Sequence, residues 1–431
     1  MGLCRNIRRS WWMFLVTVLL SVIMFLRRDL NYSLSKFEDL EMLSMFNDDS
    51  FLDFVSRSNV RTFLSQSGKY MIYSDIKKRK IEIEHSDVTI VTHCSYYNLR
   101  YLLDLATFWN GPISLAIFTT TPTKTLILID LLSRCSPQIN NYVNFHMVVP
   151  FTGLKYKKIH SLEPDEPNIL KILNHLKEEK QHSNLICDNM GSLLHSFDNL
   201  EKNYELKSSL DYPSNVLRNA AWELSTTKHI LNIDIDIIPS KYLRSLLREF
   251  LHQIVPFSDK TAYVLPVFEI KYGVFLKMKT HFPISKNELV KLTQKNYVRQ
   301  FYHDPCFLCQ NCTNFNAWFE TKSSNLDVVG HEFYFKPPCE PFLILPKNAP
   351  KFDERFLQYG YNRFSQICEV LTAGFDFKVL DNAFLIHLGF KSNSPDDFHF
   401  RKVEEHAKQS AKFPSFLQEL RNKYPNSQHF C

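Results

Sequence analysis

Residues 231–240 read LNIDIDIIPS, an apolar run that carries two carboxylates, Asp234 and Asp236, two positions apart. Apolar and polar residues alternate from 231 to 237, which is the period of a β-strand with one buried face. The alternation predicts a single strand on which both aspartate side chains point in the same direction. Pro239 and Ser240 are then expected to end this strand.

The paired aspartates favour a binding site for a divalent cation. A D-x-D motif alone is weak support, since an exposed acidic pair at a strand edge has the same sequence. Two like charges within a buried run are nevertheless costly unless a cation compensates them. A hard cation and the oxygens of a diphosphate fit between two such carboxylates. Asp234 and Asp236 are therefore the first candidates for catalysis and metal binding.

The composition is that of a globular protein. The chain has 431 residues, of which 45% are hydrophobic and 14% aromatic, and it contains only 10 glycines. This length and apolar content suffice for one large domain or two with a substantial core. The formal net charge of +6 is modest. Basic clusters lie beside acidic neighbours, so binding of nucleic acid has little support.

The N-terminal residues predict a membrane anchor. Residues 11–26 are apolar and uncharged, with three arginines before them and two immediately after. This stretch is short for an average membrane span but sufficient for a thin secretory-pathway bilayer. Because no small-residue cleavage site follows Leu26, an uncleaved signal anchor at 10–28 is favoured over a removable signal peptide. The excess of positive charge before the span predicts a cytosolic tail at 1–9 and a lumenal remainder.

Nine of the ten cysteines follow the predicted anchor, in a compartment that permits disulfides. Cys306, Cys309 and Cys312 form a C-x-x-C-x-x-C run, and Cys339 lies downstream. Behind a signal anchor, this run favours disulfides over a zinc or iron-sulfur site. The odd number of lumenal cysteines leaves at least one thiol free or intermolecular.

Residues 29–85 are expected to form a lumenal stem. Apolar residues recur every third position from Leu34 to Phe46, which predicts one helical face. Such a helix would form a homodimer contact or pack on the catalytic domain, and the two interpretations are equally supported. Two glycosylation sequons, at Asn31 and Asn311, agree with a lumenal location.

From residue 87 onward, strand and helix patterns alternate. The predicted strands cover 88–92, 113–118, 142–149 and 262–269, and the predicted helices cover 98–109, 126–132, 214–225 and 241–251. Alternation of this kind predicts an α/β domain over 86–431 with a mostly parallel sheet. Such sheets bind ligands at the carboxyl ends of their strands, where Asp234 and Asp236 fall.

The last third of the chain has a less regular pattern. Residues 287–350 are rich in cysteine, proline and aromatic residues and show little periodicity, which predicts an irregular insertion that shapes one side of the binding site. A predicted helix at 364–373 follows, and then a predicted strand at 377–386 that ends in His387.

Several long motifs follow one another in an order similar to that of glycosyltransferase family 49. They are YPSNVLRNAAW (212–222), DIDIIPS (234–240), KNELVKL (286–292), FDERFLQYGYNRFSQICE (352–369), AGFDFKVLDNAFLIHLGFK (373–391) and KYPNSQHFC (423–431). The chain resembles this family over most of residues 86–431. The ordered set is far more specific than a lone D-x-D motif.

The resemblance implies a Golgi type II membrane protein with a GT-A catalytic domain, which is a Rossmann-like mixed sheet flanked by helices, and with a UDP-sugar donor and Mn²⁺. By position in the family's motifs, Asp234 and Asp236 are the D-x-D pair and His387 is the third metal ligand. An imidazole beside carboxylates suits manganese better than magnesium. Arg218 and Asn219 are the candidates for the uridine-diphosphate side, together with Asp234.

The resemblance further implies transfer of glucuronic acid from UDP-glucuronate to a terminal β-xylose of a dystroglycan-type O-mannosyl glycan, with a β1,4 link and inversion. Inversion requires a general base for the acceptor hydroxyl. The acid that many inverting GT-A enzymes carry after a glycine motif is missing, because Tyr361 and Asn362 follow Gly360. The remaining candidates for the base are Asp353, Glu354 and Glu369.

The carboxylate of a glucuronate donor needs a cationic partner, preferably a bidentate one. Arg355, Arg363 and Lys391 are the candidates in the same block of sequence. The residues alone do not choose among them.

Two other functions stay open from the sequence. The first keeps the fold and changes the donor, which would make the chain a xylosyl- or N-acetylglucosaminyltransferase. The second is an inactive lumenal scaffold in a complex with other Golgi transferases. The presence of Asp234, Asp236 and His387 argues against the scaffold.

Overall fold

The computed structural model describes residues 48–151, 187, 211–253, 260–321, 333, 335–358, 360–392 and 397–431. The chain divides into two compact units, residues 1–54 and 55–431. Helix α1 (Asp48–Arg57) spans their boundary, and every other described element belongs to the second unit. The predicted tail, the signal anchor, the stem helix and Asn31 lie outside the described residues. Within the described part, no helix is long and apolar enough to cross a membrane.

The second unit is built on a mixed sheet of nine strands. These are β1 (Arg61–Leu64), β2 (Tyr70–Lys77), β3 (Val88–Ser95), β4 (Ile113–Phe118), β5 (Val143–Pro150), β6 (His229–Asn232), β8 (Thr261–Leu265), β11 (Phe342–Pro346) and β12 (Asp376–Val379). They pair in the order β1-β2-β5-β4-β3-β6-β11-β8-β12. Strands β3 to β6 run parallel, whereas β11 is antiparallel to both of its neighbours. The predicted α/β class is confirmed, and the mixed sheet fits a GT-A domain.

A smaller sheet contains the remaining four strands. They are β7 (Ile237–Pro239), β9 (Val267–Ile270), β10 (Val298–Gln300) and β13 (Leu385–Leu388), in the order β10-β9-β13-β7. Three segments pass from the large sheet into the small one, from β6 to β7, from β8 to β9 and from β12 to β13. The two sheets are therefore joined at several points on one side of the large sheet.

Helices surround both sheets. They are α2 (Tyr101–Trp109), α3 (Pro122–Cys135), α4 (Pro137–Tyr142), α5 (Ser214–Glu223), α6 (Leu243–Gln253), α7 (Tyr272–Met278), α8 (Lys286–Gln294), α9 (Phe315–Glu320), α10 (Asn362–Thr372), α11 (Asp397–Ser410) and α12 (Phe413–Lys423). Short 3-10 turns cover Tyr96–Arg100, Lys279–His281 and Phe307–Gln310. Helix α5 packs on β3 and β4, and all its residues except the last are buried.

One apolar core holds the two sheets together. Val91 and Ile230 of the large sheet belong to the same buried cluster as Ile238, Phe268 and Ile386 of the small sheet. Each such side chain contributes about 1.5–3 kcal/mol when it is fully buried. The junctions between the sheets are therefore rigid positions, suited to hold a site.

The prediction of one strand through both aspartates is wrong. Strand β6 ends at Asn232 and β7 begins at Ile237, so Asp234 and Asp236 lie in the turn between them. The predicted strands 262–269 and 377–386 are likewise each divided between the two sheets. The alternation of apolar and polar residues shows which side chains are buried, but it does not show to which of the two sheets a segment belongs.

The prediction of an irregular insertion at 287–350 is wrong in part. Strand β11 comes from this region and lies inside the large sheet, between β6 and β8. All five of its residues are buried, so the sequence FLILP has no alternation to reveal a strand. Within the predicted stem, residues 61–77 supply β1 and β2, which pair with each other, and β2 also pairs with β5.

Four disulfides confirm the prediction made from the cysteine run. Two of them involve that run, Cys306–Cys309 and Cys312–Cys339, and the others are Cys135–Cys187 and Cys368–Cys431. Cys94 is a buried free thiol, as the odd number of cysteines required. Asn311, the second predicted glycosylation site, is exposed next to Cys312.

Candidate active site

The turn between β6 and β7 forms the centre of the site. The Ile233 N–H donates to the Val91 carbonyl of β3 at 3.2 Å, and the Ile237 N–H donates to the Asp234 carbonyl at 3.1 Å. These bonds place Asp234 and Asp236 at the carboxyl ends of the parallel strands β3 and β6. This is the edge at which sheets of this kind bind ligands.

Two arginines bind Asp234. The Arg363 Nη2 lies 2.8 and 2.9 Å from the two carboxylate oxygens, and the Arg218 Nη2 lies 3.3 Å from Oδ1. Burial by itself raises the pKa of Asp234, but the charges of Arg363 and Arg218 outweigh it, and the pKa lies well below its usual range. Asp234 is therefore a permanent anion between two cations.

Both guanidinium groups are held by further contacts. Arg218 comes from α5 and donates to the Asn215 side-chain oxygen at 3.0 Å. Arg363 is the second residue of α10, and its guanidinium carbon lies 3.9 Å from the centre of the Phe342 ring. Both side chains are less than one-tenth exposed, which makes them preorganised for an anionic group.

Asp236 lies next to His387, two of the three residues that the resemblance implied as metal ligands. The His387 Nε2 lies 3.1 Å from the Asp236 Oδ2, and its Nδ1 lies 2.8 Å from the Gly389 carbonyl. A carbonyl only accepts, so Nδ1 carries a proton, and Nε2 is the ring nitrogen that lies next to the carboxylate. A proton or a cation must then lie between them. A carboxylate and an imidazole oriented by a backbone carbonyl form a donor pair that fits a divalent metal.

The three predicted metal ligands do not converge on one point. Asp234 faces the arginines, whereas Asp236 and His387 face each other. No group of three or more His, Cys, Asp and Glu side chains within the described residues is arranged to hold a metal. The assignment of Asp234 as a ligand remains a prediction.

Lys391 adds a third cation to this region. Its ammonium lies 5.3 Å from the Phe301 ring centre and 5.2 Å from that of Tyr302. Burial raises the pKa of both Asp234 and Asp236, and their nearer partners, the two arginines and His387, lower it most. The charge of Lys391 adds to this lowering for both aspartates. The predicted cation is therefore electrostatically coupled to the paired aspartates.

The other predicted residues have separate partners. Arg355 binds Asp353 and Glu419. Glu354 accepts from the Gln66 N–H and from the Asn219 side chain. The Asn219 amide also exchanges hydrogen bonds with the backbone of Phe352, so it holds this segment and does not face the aspartates.

Glu369 also has a structural role. It accepts from Lys423 at 2.7 Å and from the Tyr424 hydroxyl at 3.1 Å, and these contacts tie α10 to the end of α12. The neighbouring Cys368–Cys431 disulfide fixes the same region.

Two polar residues of the site were missed in the sequence. The His93 Nδ1 lies 2.8 Å from the Tyr212 hydroxyl, and burial, followed by the charge of Arg218, lowers the pKa of His93 to about 3. His93 Nε2 and both polar atoms of the Asn232 side chain are buried without a hydrogen-bond partner among the described residues. Asn232 ends β6, and His93 lies two residues before the end of β3, so the rule for carboxyl ends of parallel strands would have found them.

These features define a class of protein. Buried cations, a carboxylate–imidazole pair and unsatisfied polar groups meet at the carboxyl ends of parallel strands. This arrangement suits a phosphorylated sugar donor, whose charge is bound by the cations and by a metal. The site is that of an α/β enzyme that acts on a sugar nucleotide.

Comparison with known proteins identifies the family. A family described as "Glycosyl-transferase for dystroglycan" matches residues 87–425. Beta-1,4-glucuronyltransferase 1 of Mus musculus is 35% identical over 391 residues, which cover 87% of this chain and 86% of the relative. The Homo sapiens protein of that name is 35% identical over 378 residues, which cover 85% of this chain and 83% of the relative.

A second group of relatives matches a shorter part of the chain. The xylosyl- and glucuronyltransferase LARGE2 of Mus musculus is 30% identical over 178 residues, which cover 41% of this chain and 24% of the relative. The chain belongs to the family described as glycosyl-transferase for dystroglycan, and it is a UDP-sugar glycosyltransferase. The resemblance seen in the sequence is confirmed.

Proposed function

We propose that this protein is a Golgi type II membrane glycosyltransferase that transfers glucuronic acid from UDP-glucuronate to a terminal β-xylose. The link is β1,4, the reaction inverts the anomeric carbon, and the product belongs to O-mannosyl glycans of dystroglycan type. The observation that carries the proposal is the Arg218–Asp234–Arg363 cluster beside the Asp236–His387 pair. The names of the most similar relatives support the sugar and the linkage.

A divalent cation, for which we propose Mn²⁺, would be held by Asp236 and His387, with Asp234 as the predicted third ligand. When bound, the cation supplies a Lewis acid that neutralises the departing diphosphate. Because Nδ1 of His387 donates to the Gly389 carbonyl, Nε2 is oriented toward Asp236 and would be available as a ligand of the cation.

The cations of the site account for an acidic donor. Arg218, Arg363 and Lys391 place three positive charges around the turn that carries Asp234 and Asp236. UDP-glucuronate brings a carboxylate in addition to its diphosphate. A guanidinium binds a carboxylate with paired N–H groups. We assign the sugar carboxylate to Arg363, a buried guanidinium beside the aspartate turn that already contacts both oxygens of one carboxylate, that of Asp234.

Unsatisfied polar groups provide a place for the nucleoside. His93 is neutral at physiological pH, since its pKa is lowered to about 3, and its Nε2 has no partner among the described residues. The Asn232 amide offers both a donor and an acceptor. We assign these two side chains to the uridine end of the donor.

A donor panel tests the proposal. The full-length protein, purified in detergent with Mn²⁺, is incubated with a β-xyloside and with UDP-glucuronate, UDP-glucose, UDP-xylose or UDP-N-acetylglucosamine. We expect a glucuronylated product from UDP-glucuronate alone, with a β1,4 link in its NMR spectrum. A product from UDP-xylose or UDP-N-acetylglucosamine instead would establish another donor. Absence of transfer from every donor would favour a scaffold.

A further inference from the structure

Glu340, a residue that the sequence did not suggest, lies close to the turn between β6 and β7 that carries Asp234 and Asp236. Strand β11 is antiparallel to β6, with Ile344 opposite Leu231, so the beginning of β11 is next to the end of β6. Glu340 precedes β11 by two residues, and Asp234 follows β6 by two residues. The pairing of the strands therefore places both residues at the same edge of the large sheet.

The backbone of Glu340 is fixed on both sides. Its N–H donates to the Cys309 carbonyl at 2.7 Å, and its carbonyl accepts from the Gln310 side chain at 2.9 Å. The preceding residue, Cys339, is fully buried and forms a disulfide with Cys312. The residue as a whole is partly exposed, and its backbone gives the carboxylate a rigid support.

The surroundings of Glu340 are charged. Its carboxylate is influenced by the charges of Arg363, Arg218 and Asp234 and, more weakly, by the backbone N–H of Phe364 in the first turn of α10. Burial raises the pKa of Glu340, Asp234 adds to this, and the two arginines oppose it. A carboxylate with a raised pKa is a stronger base than an ordinary one.

We propose that Glu340 is the general base of the transfer, an inference that rests on the proposed function. The Glu340 carboxylate takes the proton of the acceptor hydroxyl while that oxygen forms its bond to the anomeric carbon of the donor. The bond from the anomeric carbon to the β-phosphate oxygen breaks, and its electron pair leaves with UDP. Glu340 is left as a carboxylic acid and returns the proton to solvent.

The Glu340→Gln variant of the full-length protein tests this role. Glutamine keeps an oxygen that accepts from the Phe364 N–H, so the contact with α10 is retained and the basic group is lost. We expect kcat for the sugar transfer to fall by about 10²–10⁴-fold. The KM for UDP-glucuronate should stay within about threefold of the wild type, because donor binding is unchanged.

The pH profile separates a base from a structural carboxylate. The wild-type kcat should fall on the acid side as Glu340 becomes protonated, and Glu340→Gln should lack this limb. Glu288→Gln is a matched control, since Glu288 also serves a helix N-terminus, that of α8, through hydrogen bonds to Ser285. This control should keep the wild-type kcat and the wild-type pH profile.

Either of two results with Glu340→Gln would overturn the assignment. One is a kcat within about fivefold of the wild type, and the other is a raised KM with the acid limb intact. Absence of transfer by the wild-type protein itself would instead overturn the proposed function, and the base with it.

Discussion

At the residue scale, the site is a set of pairs that the sequence could show only as separate letters. Asp236 and His387 are 151 positions apart in the chain and 3.1 Å apart in the structure. The family motifs pointed to both residues, and to Arg218 and Arg363. The motifs gave no partners, however, so the ion pairs and hydrogen bonds of Asp353, Glu354 and Arg355 could not be predicted.

The Arg363→Lys variant tests the binding of the sugar carboxylate. Lysine keeps the charge but offers a single point of contact, so the paired N–H groups of the guanidinium are lost. A hydrogen bond to a charged group contributes about 1.5–3 kcal/mol, and kcat/KM for UDP-glucuronate should fall by about 10–100-fold. The quantity to measure is the initial rate of transfer over a range of donor concentrations.

A surface arginine provides the control for this variant. Arg248 pairs with Glu84 at the surface, and Arg248→Lys should leave kcat/KM unchanged. If Arg363→Lys also kept the wild-type kcat/KM, the sugar carboxylate would have to bind elsewhere.

At the element scale, the strands and helices from residue 87 to 150 follow the sequence closely. Strand β4 covers the predicted residues, and β3, β5, α2 and α3 differ from the prediction only at their ends. The elements that cross between sheets could not be predicted, because the sequence pattern of a strand continues through each junction without a break. The candidate site lies at such a junction, which is why its turn was mistaken for a strand.

Several elements meet at His146, a buried residue of β5. Its Nδ1 accepts from the Asp75 N–H of β2 at 3.0 Å, and its Nε2 lies 3.0 Å from the Ser114 hydroxyl of β4. That hydroxyl donates to the Ala221 carbonyl of α5 at 2.6 Å, so it must accept from the imidazole. His146 is therefore neutral, with its proton on Nε2.

The stability of the fold should fall in acid because of His146. Burial, followed by the charge of Arg61, lowers the pKa of His146 from 6.5 to about 3. Between these two values the unfolded chain binds a proton that the folded chain does not. This group should therefore reduce the free energy of unfolding by about 1.4 kcal/mol per pH unit as the pH falls.

The His146→Gln variant measures this contribution. Glutamine provides one acceptor and one donor but does not titrate. The variant should therefore take up one proton fewer on unfolding between about pH 6 and 4, and the slope of the free energy of unfolding against pH should be smaller by that one proton. Urea unfolding at several pH values gives this slope. His429→Gln, at an exposed position, is the control and should keep the wild-type slope. An unchanged slope in His146→Gln would contradict the assignment.

At the scale of the whole molecule, the catalytic unit begins earlier than the sequence suggested. The family match begins at residue 87, yet β1 and β2 extend the large sheet from residue 61. All eight residues of β5, the strand they cover, are buried. The stem prediction relied on weak local patterns, and these do not reveal a strand whose partner is more than 70 residues away.

Truncation tests this boundary. A chain that begins at residue 55 keeps every strand, whereas one that begins at residue 86 loses β1 and β2 and exposes the apolar edge of β5. We expect the shorter chain to aggregate, because an unprotected edge strand pairs with other chains. Size-exclusion chromatography of the two chains, secreted from the same cells, measures the monomeric fraction. Equal recovery of monomer from both would contradict the fold boundary.

The most direct test of the account is the transfer rate of Asp236→Asn in the full-length protein with UDP-glucuronate, a β-xyloside and Mn²⁺. Asparagine keeps the size of the side chain but removes the anion that faces His387. A bound cation stabilises the charge that develops on the departing phosphate by several kcal/mol, and this stabilisation should be lost with the anion. We expect the rate to fall by at least about 10²-fold. Asp130→Asn, in a surface ion pair with Arg134, should keep the wild-type rate. An Asp236→Asn protein that transfers glucuronic acid at the wild-type rate would contradict a metal-assisted transfer at this site.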